Sequence, residues 1–197
     1  MHGAGAAVLD TRSPMDFARG HLRGSINVGL EGRFAEFAGD VLGGPDQEVV
    51  LVGESDTGLA ARVRLGRIGF DNVAGHVADL APALLQRPEV VERSSRLTAE
   101  ELARRLGQLA ELVIVDVRSP VEVAEGRIPG SRHIPLPRLR ERLEELDPNR
   151  PTVVYCAGGY RSSIAASLLA ASGFVDVSDL LGGYGAWTSL VPPEAPH

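Results

Sequence analysis

The sequence predicts an α/β protein with two similar domains, each a mostly parallel central sheet flanked by helices. The first observation is a repeat: residues 8–14 (Val-Leu-Asp-Thr-Arg-Ser-Pro) recur at residues 114–120 as Ile-Val-Asp-Val-Arg-Ser-Pro. The second is an apolar run in each copy, at residues 49–52 and 153–156, as expected for a strand buried inside a parallel sheet. A loop and a helical pattern follow each run. The repeat distance is too long for a solenoid and indicates two copies of one domain.

Both copies are expected to contain the same elements in the same order. The first strand of each copy ends at Arg-Ser-Pro, because proline does not continue a central strand. The paired elements are short helices at 15–18 and 121–125, edge-like strands at 26–28 and 133–135, amphipathic helices at 34–41 and 136–146, central strands at 49–52 and 153–156, helices at 59–68 and 163–171, and last strands that start at Val73 and Val177. Aligning residues 69–70 with residues 173–174 places Val52 opposite Cys156.

The repeat also predicts the domain limits. The first domain is expected at residues 1–88 and the second at residues 95–197, with a linker within residues 86–95. Thr98 and Glu101 have the spacing of a capping box, which predicts the first helix of the second domain.

The first copy has no counterpart of residues 97–111. Two explanations are open: the chain is cut from a longer protein, or Val90 and Val91 supply the missing edge strand.

Asp116 and Arg118 stand at the end of the first strand of the second copy. Both residue types occur in catalysis, but an Asp-x-Arg pair at a strand end more often forms a structural ion pair or loop hydrogen bonds. We therefore assign these two residues to structural support.

The single cysteine of the chain, Cys156, ends the central strand of the second copy. Glycines 158 and 159 follow it, then Arg161 and a run of small residues that predicts a helix. The first N–H groups of a helix lack intrahelical partners and carry partial positive charge, so this loop is suited to hold an anion. A cysteine at this position is expected to form the thiolate more easily and to act as a nucleophile.

The motif Cys156-x-x-Gly159-x-Arg161-Ser162 resembles the active-site loop of the rhodanese-like sulfurtransferases. Residues 182–187 (Gly-Gly-Tyr-Gly-Ala-Trp) resemble the Gly-Gly-x-x-x-Trp segment near the end of that family's domain. The resemblance implies that Cys156 accepts the outer sulfur of thiosulfate or of a persulfide and passes it to a thiol or to cyanide. It also supports the structural role of the aspartate and arginine pair. The residues expected to form the substrate-binding loop are Ala157, Gly158, Gly159, Tyr160, Arg161 and Ser162.

The corresponding loop of the first copy has neither cysteine nor arginine. It contains Glu54 and Asp56, and we expect these carboxylates to fill the anion site from within, since negative charge is favourable at a helix N-terminus. The first copy therefore resembles a catalytically inactive rhodanese domain.

Two other functions remain open for the second copy. A Cys-dependent phosphatase or arsenate reductase on the same fold is one, although relatives of that kind have one more residue between cysteine and arginine than the four found here. A non-enzymatic sulfur-carrier or scaffold module is the other.

The composition narrows the choice of partners. A net charge of −6 gives no basic surface for nucleic acid, and no apolar run is long enough to cross a membrane. One cysteine excludes an internal disulfide and a Cys-rich metal site, and it is typical of a reducing cytoplasm. We expect no metal and no cofactor, and small-molecule partners such as thiosulfate, a glutathione-type persulfide, a thiol acceptor and, in vitro, cyanide.

Residues 24–34 resemble the degenerate rhodanese segment found downstream of a metallo-β-lactamase-fold persulfide dioxygenase domain. The resemblance implies a partner domain of that fold outside this chain.

Overall fold

The structure, a computed structural model, describes residues 5–191 of the 197-residue chain. The chain divides into two compact units, Met1–Ser94 and Ser95–His197. Each unit has its own mostly parallel sheet, its own helices and its own buried apolar side chains, so the predicted fold class is confirmed.

The first unit contains six strands and four α-helices among its described residues. In chain order they are β1 (Ala7–Asp10), α1 (Pro14–Arg19), β2 (His21–Leu22), β3 (Ile26–Asn27), α2 (Phe34–Val41), β4 (Val49–Gly53), α3 (Thr57–Gly66), β5 (Val73–Ala78), α4 (Leu80–Gln86) and β6 (Val91–Glu92). The parallel sheet has the order β3-β1-β4-β5, and β2 pairs separately with β6 in the antiparallel sense.

The second unit contains five strands and five α-helices among its described residues. They are β7 (Ser95–Leu97), α5 (Ala99–Leu106), β8 (Val113–Asp116), α6 (Pro120–Ala124), β9 (Arg132–His133), α7 (Leu136–Leu139), β10 (Thr152–Tyr155), α8 (Tyr160–Ala171), β11 (Val177–Leu180) and α9 (Gly183–Leu190). The sheet has the order β7-β11-β10-β8-β9 and all its pairs are parallel, so β10 lies at its centre.

Local sequence patterns account for several of these elements. The buried residues of α2 are Phe34, Phe37, Ala38 and Val41, which form the apolar stripe expected of an amphipathic helix, and the predicted limits of this helix are confirmed. The predicted capping box of α5 is also present. The Thr98 side chain accepts a hydrogen bond from the Glu101 N–H, and the Thr98 N–H donates to the Glu101 carboxylate.

Three element predictions need correction. The helix expected at residues 136–146 ends at Leu139 and continues as a 3₁₀ segment, Arg140–Glu145, because Arg142 has a non-helical backbone (φ −115°, ψ 18°). The stretch expected as a linker is largely structured: α4 extends to Gln86, and a 3₁₀ turn at Pro88–Val90 leads into β6. The proposed edge strand at Val90 and Val91 was wrong, since β6 pairs with β2 and not with the parallel sheet.

A buried apolar cluster lies on one face of the second unit's sheet. Its members are Leu97, Leu102, Ile114, Ile128, Val153, Tyr155, Leu180 and Trp187. Full burial of side chains of this size contributes about 1.5–3 kcal/mol each, so this cluster holds β10 and its neighbours firmly in place. Cys156 directly follows β10, and its position therefore depends on this packing.

None of the helices within residues 5–191 is long and apolar enough to span a lipid bilayer.

Candidate functional site

Cys156 lies at the carboxyl end of the central strand β10, directly before the loop that leads into α8. Gly159 is the N-cap of that helix and has a left-handed backbone (φ 101°, ψ −12°), which glycine adopts without the steric cost that a side chain brings. Ligand sites of parallel α/β sheets form at this edge, where strands end and helices begin. The sheet thus places the one cysteine at the edge where such sites occur.

The thiol of Cys156 is buried and its sulfur lies inside the loop. The Gly159 N–H donates to Sγ over 3.1 Å, and Ser162 Oγ lies 3.6 Å from Sγ while donating to the Gly159 carbonyl over 3.2 Å. The helix begins at Tyr160, three residues before the predicted start at 163. Tyr160, Arg161 and Ser162 therefore belong to the first turn of α8, whose N–H groups lack partners within the helix and where the positive end of the helix dipole is found.

The segment that begins with Gly182 and Gly183 forms hydrogen bonds with the backbone of this loop. Tyr184 N–H donates to the Cys156 carbonyl over 2.7 Å, and Gly185 N–H donates to the Ala157 carbonyl over 3.1 Å. A Cβ on Gly183 would lie 2.7 Å from the Ala157 oxygen and even closer to the Cys156 oxygen. The N-terminus of α9 can therefore dock on the loop only if residue 183 is glycine. This contact is the physical reason for the Gly-Gly segment that the sequence showed only as a motif.

Arg161 is anchored by a residue that the sequence did not single out. Its Nη1 and Nη2 atoms donate to the two carboxylate oxygens of Glu122, over 2.8 and 2.6 Å. The hydrogen bonds from Arg161, reinforced by those from Ser119, lower the pKa of Glu122 to about 2. The hydrogen bonds to Glu122 raise the pKa of Arg161, and electrostatic attraction to Cys156 makes a smaller contribution in the same direction.

Glu122 therefore takes two of the five N–H donors of Arg161, and the assignment of Arg161 to the substrate-binding loop stays a prediction. Glu122 also caps α6, with its carboxylate accepting from Ser119 N–H over 3.0 Å. The Ser119-x-x-Glu122 spacing of a capping box was a signal in the sequence that could have drawn attention to this residue.

Asp116 and Arg118 form the buried ion pair expected of a structural support. Arg118 Nη2 donates to Asp116 Oδ2 over 2.7 Å and to the Gly126 carbonyl over 2.7 Å. The guanidinium also lies 4.2 Å from the centroid of the Tyr184 ring, a cation–π distance. Tyr184 belongs to α9, so this ion pair contacts the same helix that forms hydrogen bonds with the cysteine loop.

Tyr155 connects the central strand to the turn after α6. Its hydroxyl accepts from Ile128 N–H over 3.1 Å and lies 3.1 Å from Ser131 Oγ. Burial, followed by the hydrogen bond with Asp116, raises the pKa of Tyr155 to about 12. No local pattern in the sequence indicates this contact, because the partners are distant along the chain.

The sheet register corrects the alignment of the two copies at the site. Asp10 pairs with Val52 in the first unit, and the equivalent Asp116 pairs with Tyr155 in the second. Gly53, and not Val52, therefore corresponds to Cys156. The sequence alignment starts from residues 69–70 and 173–174 and assumes equal lengths upstream of them. The first copy has one residue fewer between its central strand and this point, so the alignment is shifted by one residue at Val52.

In the first unit, threonine hydroxyl groups and not carboxylates lie next to the position that corresponds to Cys156. A Cβ on Gly53 would lie 2.6 Å from Thr57 Oγ1 and even closer to Thr11 Oγ1. Glu54 and Asp56 are exposed, and the Asp56 side chain makes no capping hydrogen bond. The prediction that these carboxylates fill the site was wrong, because the two hydroxyl groups already take the space where a side chain would begin.

Comparisons with known proteins agree with this architecture. The family model described as "Rhodanese-like domain" matches residues 1–77 and 98–190. A protein named "Sulfurtransferase" from Allochromatium vinosum is 34% identical over 104 residues, which cover 51% of this chain and 97% of that protein. A "Thiosulfate sulfurtransferase GlpE" from Stutzerimonas stutzeri is 38% identical over 88 residues, covering 45% of this chain and 81% of that protein.

Similar solved structures include a thiosulfate sulfurtransferase from Pseudomonas aeruginosa, which is 27% identical in sequence. The match covers 94% of this chain and 39% of that chain, with a TM-score of 0.45. A rhodanese-like domain protein from Staphylococcus aureus is 34% identical, covering 47% of this chain and 90% of that chain, with a TM-score of 0.45. Since the family model matches most of the sequence, in one segment for each copy of the repeat, the chain belongs to the rhodanese-like domain family.

Proposed function

We propose that this chain is a sulfurtransferase that moves sulfane sulfur from thiosulfate or a low-molecular-weight persulfide to a thiol or cyanide acceptor through a persulfide on Cys156. The observation that carries the proposal is the hydrogen bond from Gly159 N–H to Cys156 Sγ, over 3.1 Å, at the N-terminus of α8. A backbone N–H directed at a sulfur atom at a helix N-terminus stabilises negative charge that develops on that sulfur during the reaction. The sulfurtransferase names of two relatives point the same way.

The proposed reaction has two displacement steps. The Cys156 thiolate attacks the outer sulfur of thiosulfate, the donor S–S bond breaks, and sulfite leaves with the bonding electrons. An acceptor thiolate or cyanide then attacks the outer sulfur of the Cys156 persulfide, which releases a new persulfide or thiocyanate and restores the thiolate. No oxidant or reductant is consumed, and this is covalent catalysis of the ping-pong type.

Within this proposal the loop residues from Ala157 to Ser162 stabilise negative charge with backbone N–H groups. Arg161 acts as a fixed positive charge that Glu122 holds in place, and Tyr160 stands at the rim of the loop. Asp116 and Arg118 support the fold behind the site. No metal or cofactor has a part in these steps.

The first unit is proposed to be catalytically inactive. Gly53 stands at the cysteine position, and the hydroxyl groups of Thr11 and Thr57 take up the adjacent space. We also propose a cytoplasmic location, which rests on the single free thiol. An association with a metallo-β-lactamase-fold domain outside this chain is a further proposal, which rests on the sequence resemblance of residues 24–34.

The test is the formation of thiocyanate from thiosulfate and cyanide, compared between the wild type and Cys156→Ser. We expect activity in the wild type only, and a mass increase of one sulfur atom on Cys156 after incubation with thiosulfate or glutathione persulfide. Turnover that persists in Cys156→Ser would refute the mechanism. Hydrolysis of an aryl phosphate without thiocyanate would point to a phosphatase, and a cysteine that never gains sulfur would point to a scaffold module.

A further inference from the structure

The outer edge of β5, the last strand of the first unit's sheet, has no partner strand among residues 5–191. The equivalent strand of the second unit, β11, is covered on the same side by β7. This edge is therefore paired with a strand in the second unit and unpaired in the first. The pairing of β7 with β11 shows how another strand could add to β5.

The covering strand of the second unit is held by both backbone and side chains. Leu181 N–H donates to the Leu97 carbonyl over 2.8 Å. The register of β7 on β11 places Arg96 opposite Asp179, and the two form a bidentate ion pair with distances of 2.9 and 2.8 Å. Asp179 is buried, so this pair is part of the contact between the two strands.

The sheet register identifies His76 as the first unit's counterpart of Asp179. Leu51 pairs with His76, just as Val154 pairs with Asp179 on the equivalent strands. The Nε2 atom of His76 is buried and has no hydrogen-bond partner within the described residues. Leaving such a group unsatisfied is unfavourable, and a partner with a hydrogen-bonding side chain at this point would remove that cost.

A cavity of about 230 Å³ opens beside His76. It is lined by Leu51, Gly58, Leu59, Arg62 and residues 73–76. Arg62 is exposed and makes no ion pair with any residue that the structure describes. The lining of the cavity therefore includes an unpaired guanidinium and the ring of His76, whose buried Nε2 lacks a partner among the described residues, where the second unit has the carboxylate of Asp179.

The edge itself has the properties of a strand that accepts another strand. Its residues, Val-Ala-Gly-His-Val-Ala, include no charged side chain and no proline. Charged residues, proline and covering segments are the usual means of blocking an exposed edge, and an edge without them is a template for pairing with another chain.

We propose that the outer edge of β5 binds an extended acidic segment of a partner protein, which adds as a parallel strand in the register that β7 has on β11. A carboxylate at the position of Arg96 then accepts a hydrogen bond from His76 Nε2 and pairs with Arg62. The sign of the charges is reversed relative to the second unit, so the edge selects an acidic strand where β11 selects a basic one. This inference concerns the first unit and does not depend on the chemistry of Cys156.

The test uses the full chain and two synthetic peptides of residues 93–107, one unchanged and one with Arg96→Glu. The second is called the acidic peptide because it has a carboxylate at the position that pairs with His76, although its net charge is zero. Binding is followed by amide chemical shifts in NMR spectra. We expect the acidic peptide to shift the amides of residues 73–78 and to bind about tenfold more tightly than the unchanged peptide, as for one charge-assisted hydrogen bond.

Two variants separate the side-chain and backbone contributions. His76→Leu should remove most of the preference for the acidic peptide while leaving backbone pairing intact. Ala78→Pro should weaken both peptides, because Ala78 corresponds to Leu181, whose N–H donates to β7.

The proposal is overturned if the unchanged peptide binds as well as the acidic one, if neither peptide shifts the β5 amides at millimolar concentration, or if the shifts lie elsewhere. Concentration-dependent shifts at β5 without any peptide would also overturn it, since they would assign the edge to a second copy of this chain.

Discussion

Replacing Glu122 with glutamine tests whether the anchoring of Arg161 matters for both stability and sulfur transfer. The change removes the negative charge, but glutamine keeps the length of the side chain and still suits the capping box with Ser119. The variant therefore isolates the charge-assisted pair with Arg161, whose two contacts measure 2.8 and 2.6 Å.

The expected loss of stability follows from the pKa of Glu122, which falls from 4.5 to about 2. One pKa unit corresponds to about 1.4 kcal/mol, so the whole shift corresponds to about 3 kcal/mol. The side chains of Arg161 and Glu122 are still 23% and 30% exposed, and solvent screening reduces this value. We expect Glu122→Gln to lose about 1–2 kcal/mol, or about 5–10 °C in the Tm of the second unit.

The pH dependence has a definite sign. Because the folded-state pKa of Glu122 is depressed, its contribution is fully present above pH 4.5 and is lost as the pH falls towards 2. Urea unfolding should therefore show the deficit of Glu122→Gln in full at pH 7 and a smaller deficit at pH 3.

The same loss should appear in catalysis, as a fall in kcat/KM for thiosulfate of about 5- to 30-fold, which corresponds to 1–2 kcal/mol. Glu125→Gln is the matched control, since Glu125 is exposed at the end of the same helix and its side chain forms no ion pair within residues 5–191. Equal Tm and equal kcat/KM for the two variants, or a stability deficit that does not shrink at low pH, would refute the reasoning.

Three further substitutions probe the support of the site. Gly183→Ala should lower kcat/KM at least tenfold, because its Cβ would push the carbonyl groups of the cysteine loop aside. The control Gly107→Ala should retain wild-type activity, and equal kcat/KM values for the two variants would contradict the docking of α9 on the loop. Asp116→Asn should destabilise the second unit by about 3–5 kcal/mol in urea, because Arg118 would be left buried without a counter-charge, and a loss below 1 kcal/mol would contradict this. Tyr155→Phe should cost about 1–2 kcal/mol by leaving a buried N–H without an acceptor, and an unchanged Tm would speak against it.

Much of the architecture could be predicted from local patterns. The repeat predicted two units of one kind, the apolar stripe of α2 predicted its limits, and the spacing of Thr98 and Glu101 predicted a cap that is present in the structure. The run from Cys156 to Ser162 likewise predicted a loop that leads into a helix at the end of a central strand. These features depend on neighbours along the chain, and so the sequence carries them directly.

Contacts between distant segments could not be predicted in this way. Glu122 lies 39 residues from Arg161, and nothing in either local pattern requires their pairing. The error of one residue at Val52 has a similar origin, because strand register is decided by pairing across the sheet and not by the length of the intervening loop. The carboxylates expected to close the first unit's loop were also misassigned, since the threonine hydroxyls that take the space come from two separate segments.

The repeated α/β architecture and the placement of one cysteine before a helix follow from local sequence patterns, because hydrophobic periodicity, proline and glycine act over a few residues. Folding in three dimensions determines which carboxylate binds Arg161, which glycine lets α9 dock on the loop, and which sheet edge has no partner strand among the described residues. Those outcomes depend on through-space packing and hydrogen bonding, whose energies are settled only when distant parts of the chain meet.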